Sequence, residues 1–411
     1  MARIKIYSAT DKLFELSSTQ PIGVMVYNNL EFLGVPFEVV IKQFRDKNRG
    51  NAFDTVQAAS DAFLSYLMTD WKPDTTSEEK HVYSVLSDVF RSVAGVFNER
   101  AREATQKYQA STKKKKDMPD LHTIFLATVE AHREYFAKEI CGGELDTKSE
   151  DALIEEYQKV FDQRIAEMFA GLPLSDTDKQ RLRVLAASIL KSKEFSGLLT
   201  GLVFAGFGTK EMFPALHAYE IDGVVSGVLK RKDLKKFISS RNDERAEIIP
   251  FAQHEMADRF MFGVDPEFES GLDEFFETLM RKTGELLIKH SGVGKKKTRE
   301  LHEKLEEALT EQLRSLREDL IPKAKKTFRE QVEDMVLFMP KAELASFAEA
   351  LVNITSVKRK YSAEQETVGG PVDVAVISKF DGFVWVRRKH YFQQELNPRY
   401  FWRTYSQGKS S

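Results

Sequence analysis

At 411 residues the chain is long enough for two or three domains, or for one domain carrying large insertions. Hydrophobic residues make up 42% and charged residues 30%, and the formal net charge of −2 gives no overall pull toward nucleic acid or an anionic membrane. The single cysteine, Cys141, excludes an intramolecular disulfide framework and fits a reducing cytoplasm, and no apolar run is long enough to span a bilayer.

The first stretch reads as strands followed by a helix. Ile4 and Ile6 begin an alternating run, Leu13, Phe14 and Leu16 form a second, and Ile22–Tyr27 is almost continuously apolar, as in a strand covered on both faces. Phe37, Val40, Ile41 and Phe44 then recur at helical spacing behind Pro36, which suits a first turn. Residues 52–109 continue in a helical pattern, broken at Pro73-Asp74 and restarted by the capping residues of 75–79. Lys113–Lys116 reads as a solvated loop rather than a nucleic-acid patch. Helices follow over 121–140, ended by Cys141-Gly142-Gly143, and over 151–169 and 176–195, the last started by Ser175-Asp176-Thr177-Asp178. Cys141 has no neighbouring motif that would activate it as a nucleophile.

Strand patterning returns at 198–207 and 214–221. Asp222-Gly223 signals a two-residue hairpin, with Val224, Val225, Val228 and Leu229 on the return strand. Gly206-Phe207-Gly208 is a structural turn, since no Lys-Ser/Thr pair or capped helix completes a phosphate loop. Residues 245–290 are helical. His254-Glu255 does not extend to HExxH because position 258 is Asp, so no metal site is expected. Gly292–Thr298 lacks the upstream glycine and buried strand of a Walker loop. A charged helix over 298–336 carries Leu301, Leu305, Leu309 and Leu313, with Pro322 dividing it. An amphipathic helix covers 340–355, and strands at 372–377 and 383–386 flank the turn Phe380-Asp381-Gly382. The tail interleaves Arg387, Arg388, Lys389, Arg399 and Arg403 with Tyr391, Phe392, Tyr400, Phe401 and Trp402. It suits a clasp or partner contact better than single-stranded nucleic acid, given the neutral overall charge.

Asp11-Lys12-Leu13-Phe14-Glu15-Leu16 followed by Pro21-Ile22-Gly23-Val24-Met25 resembles the proteasome β-type branch of the N-terminal nucleophile (Ntn) hydrolases. The AGFG…ALHAYEIDGVVSG stretch resembles the same family's sheet, and Thr367–Pro371 resembles its Gly-rich approach to the active site. The resemblance implies an α+β fold with a four-layer αββα sandwich. It implies catalysis of peptide or amide hydrolysis through Lys12, with Gly369 and Gly370 beside the substrate and no metal or cofactor. It also implies protein partners or self-association, the family forming rings. The expected core draws on 1–50, 196–232 and 340–392, with helical insertions at 51–195 and 233–339 and a basic aromatic tail at 393–411. The family's attacking group is an N-terminal Thr, Ser or Cys. Here the sequence opens Met1-Ala2-Arg3, so the expectation divides between an N-terminally truncated hydrolase and a non-catalytic scaffold that binds partners through its helical insertions.

Overall fold

The computed structural model describes residues 11–71, 74–109, 119–138, 143–197, 199–239, 246–252, 254–263, 266–290, 303–304, 307–308, 310–312, 314–361, 371–389, 392–399 and 402. It is an α+β protein, and its strands pair antiparallel. The chain divides into two compact units, Asp11–Ser239 with Ile377–Phe383, and Ser240–Val376 with Val384–Ser411.

The first unit is built on a five-stranded sheet in the order β1-β2-β5-β6-β7. Its strands are β1 (Leu13–Glu15), β2 (Ile22–Asn28), β5 (Thr200–Gly206), β6 (Ala215–Val225) and β7 (Val228–Ile238). A short ladder, β3 (Glu31–Phe32) with β4 (Val35–Pro36), leads from β2 into helix α1 (Phe37–Lys47). The β2–β5 register aligns Val24 with Phe204 and Val26 with Leu202. Because side chains alternate across a strand, Ile22, Val24, Val26, Leu202 and Phe204 share one face. That face is sealed by Phe37, Val40, Ile41 and Phe44 of α1 and by Phe63 and Leu67 of α2 (Val56–Thr69). Phe63 packs edge-on to Phe44 at 5.2 Å and lies 5.6 Å from Phe204, so the two helices and the sheet share one aromatic cluster. Fully burying each such side chain contributes about 1.5–3 kcal/mol. Residues of α2, which the sequence pattern groups with the 51–195 insertion, thus complete the sheet's own core.

A second core joins α3 (Thr75–Gln109), α4 (Leu121–Lys138), α5 (Glu150–Met168) and α6 (Asp176–Lys191). Its buried side chains include Leu86, Phe90, Phe125, Phe161 and Leu185, and Val225 of β6 belongs to the same cluster. Ser175 and Asp178 form a reciprocal capping box at the start of α6, as the Ser-Asp-Thr-Asp run predicts.

Two strand boundaries differ from the sequence expectation. Asp222-Gly223 is not the hairpin turn. β6 runs on to Val225, the turn residues are Ser226 and Gly227 with φ of 51° and 70°, and 222–223 form an irregularity in the register. The reason is tertiary. The Asp222 carboxylate accepts hydrogen bonds from the backbone N and Oγ of Ser196, and Gly223, at φ 104°, passes the His81 ring too closely for a side chain. β7 likewise extends to Ile238, past position 232 where this piece of the sheet was expected to end. Its ladder with β6 continues to Leu216↔Phe237 and Ala215↔Ile238, and its Lys and Arg side chains are the usual protection of an edge strand.

In the second unit, α7 (Glu255–Phe262) packs against the helices Ile321–Leu337 and Lys341–Tyr361, and Phe260 meets Phe347 at 5.6 Å. The helix α8 (Pro266–His290) carries exposed Phe268, Phe275 and Leu286. The strands β8 (Val374–Ser378) and β9 (Gly382–Arg387) form a two-stranded hairpin closed by Gly382 at φ 82°, where the Phe-Asp-Gly turn was expected. The tip of that hairpin, Ile377–Phe383, belongs to the first unit.

Candidate functional site

Lys12 stands immediately before β1. Its backbone carbonyl accepts from Val26 N at 2.7 Å, which extends the β1–β2 ladder by one residue, and its side chain is exposed. Gly369, Gly370 and Cys141 lie outside the described residues, as do Gly292–Thr298 and Lys113–Lys116.

Next to Lys12 the sheet presents its other face. Ile22 and Val24 point toward α1 and α2, so Gly23 between them faces the opposite way. A Cβ built on Gly23 would stand 2.7 Å from Phe383 and 3.0 Å from Ile377, both at the β8–β9 tip. The tip is also held by Lys379, whose ammonium donates to the Glu211 carbonyl, and by Ser378 and Asp381, which hydrogen-bond at 2.8 Å. Further along the same face Tyr27 lies directly over Gly201, where a Cβ would fall 1.9 Å from the ring. The Tyr27 hydroxyl reaches Glu220 at 3.5 Å. Burial, reinforced by the Glu220 charge, pushes the Tyr27 phenol well above its ordinary range, so it remains a neutral donor.

A buried polar cluster lies where β6 meets α3. Asp222 accepts from Ser196 Oγ at 2.5 Å and from Ser196 N at 2.9 Å. His81 Nε2 is 3.9 Å from Asp222 Oδ2. Lys230 is 1% exposed, donates to the Glu194 carbonyl, and sits 5.4 Å from the centre of the Phe195 ring. Burial raises the Asp222 carboxyl above the usual carboxylate range. Burial, together with the Lys230 charge, lowers His81 to about 4. The set holds Ser, His and Asp, but the serine hydroxyl is bonded to the aspartate and not to the histidine. A nucleophile needs the reverse order, with the base next to the hydroxyl. The cluster therefore ties the β6 irregularity by hydrogen bonds to Ser196, which follows α6, with His81 of α3 packed beside it. The sequence reading missed it, and the only local sign was the Asp-Gly pair.

A cleft of about 390 Å³ opens between α3 and α4, with Asp88, His132, Tyr135, Phe136, Glu194 and Phe195 among its walls. Among the described residues no group of His, Cys, Asp and Glu is placed to hold a metal ion, and no helix is long and apolar enough to cross a membrane. No protein-family model, curated protein or solved structure matches this chain.

Proposed function

We propose that the chain is a proteasome-like Ntn-hydrolase relative whose αββα sandwich acts on a peptide or amide bond in the cytoplasm. The observation that supports this reading most directly is the meeting at Gly23. One antiparallel sheet is assembled from residues 13–28 and 200–238, with α1 and α2 on one face, and the β8–β9 tip, Ile377 and Phe383, lies against the other. Strand-on-strand contact on the face opposite the helices is what a sandwich of this kind needs, and it joins three segments far apart in sequence. In this reading Lys12 takes the proton from the attacking group.

A second reading, a non-catalytic protein that binds partners or itself, draws on a different observation. The Lys12 side chain is exposed, and large apolar side chains such as Phe338, Tyr361 and Phe380 are 83%, 80% and 92% exposed.

Hydrolysis of fluorogenic peptide amides by the full chain, alongside Lys12→Ala, separates the two. Catalysis through Lys12 predicts turnover that falls on the order of a hundredfold or more in the variant. Turnover that Lys12→Ala leaves unchanged, or none above the uncatalysed rate, refutes the enzyme reading. Light scattering at several concentrations then tests self-association.

A further inference from the structure

We propose that the cleft between α3 and α4 is a binding site for a small organic ammonium ion bearing a ring or branched aliphatic body. Its volume of about 390 Å³ is of the size that small-ligand sites have. Val85, Val89, Phe136 and Phe195 give it apolar walls, and Tyr135, which also lines it, is 57% exposed. Two carboxylates, Asp88 and Glu194, join them.

The charges around the cleft favour a cation. Asp88 is only loosely engaged, at 3.4 Å from Arg91 within its own helix and 3.5 Å from Gly197 N. His132 Nδ1 donates to the Thr128 carbonyl at 2.8 Å, within its own helix. Lys230, buried 5.4 Å from the centre of the Phe195 ring, donates to the Glu194 carbonyl and faces the Asp222 carboxyl electrostatically. The cleft thus offers aromatic and aliphatic surface for a hydrophobic body and acceptors for an ammonium group, which aromatic faces also attract.

The test is calorimetric or saturation-transfer NMR titration of the full chain with 2-phenylethylamine and with 3-phenylpropanoate, which share a ring and differ in the sign of their charge. The amine binds and the acid does not. Added salt weakens the amine, and Asp88→Asn with Glu194→Gln lowers its affinity about tenfold, with the thermal unfolding midpoint unchanged. Ala131 lines the cleft on an exposed part of α4, so Ala131→Trp fills the space and abolishes binding without disturbing the core. Equal binding of amine and acid, amine affinity unchanged by the paired carboxylate variants, or no amine binding at all overturns the proposal. None of these outcomes depends on peptide hydrolysis.

Discussion

Acidification should weaken this fold through His81, and the size of the effect follows from where that ring sits. His81 is 8% exposed, pressed against Gly223, with a buried Nε2 that has no hydrogen-bond partner. In the unfolded chain it takes up a proton near pH 6.5; in the folded chain burial and the Lys230 charge delay this until about 4. The contribution is therefore fully present above pH 6.5, is lost as the pH falls toward 4, and changes no further below that. The displacement from 6.5 to about 4 corresponds to about 3 kcal/mol. Asp222 works the other way: burial raises its carboxyl, so the folded chain binds that proton more readily and gains stability as the pH falls. Urea unfolding followed by far-UV circular dichroism between pH 7.5 and pH 4 measures the sum. In His81→Gln the acid-induced loss should be smaller by about 3 kcal/mol, and repeating both profiles in an Asp222→Asn background isolates the coupling between the two groups. If the original chain and His81→Gln lose stability in parallel over this range, the argument from the buried imidazole is wrong.

Two other substitutions test the sheet. Gly206→Ala places a Cβ 1.9 Å from the Pro21 carbonyl oxygen at a residue with φ of 146°, so backbone must move. It should cost more than about 3 kcal/mol and lower the thermal unfolding midpoint sharply, whereas an unchanged midpoint would mean the β2–β5 register is misassigned. The Cβ of Gly23→Leu falls 2.7 Å from the Phe383 ring and 3.0 Å from the Ile377 Cδ1 methyl, side-chain rather than backbone atoms. The substitution should leave global stability within about 1–2 kcal/mol while speeding amide hydrogen exchange at the β8–β9 tip, and unaltered exchange there would show that the hairpin does not rest on β2.

Much of the secondary structure was legible because it rests on local patterns. The apolar run at Ile22–Tyr27 became β2, the Phe37, Val40, Ile41, Phe44 spacing became α1, the helical pattern over 52–109 became α2, ending at Thr69, and α3, beginning at Thr75, and the Phe-Asp-Gly turn closes β8 and β9. The Asp222-Gly223 turn was misread because the motif states only that two residues tolerate a bend. Ser196 and His81, distant in sequence, decided that the bend would be an irregularity within β6 and moved the turn to Ser226-Gly227.

The candidate site divides along the same line. Sequence alone put Lys12 at the start of a strand, next to an alternating run, and supplied a single cysteine, which excludes an intramolecular disulfide framework. It did not determine which face of β2 lies open, that Ile377 and Phe383 come to rest at Gly23, or that Asp88 and Glu194 border one cleft. Hydrophobic periodicity fixes which side of an element turns inward, because the cost of exposing apolar surface is paid residue by residue. Which distant partner then covers that side depends on shape and on the pairing of buried polar groups, and these exist only once the chain has folded.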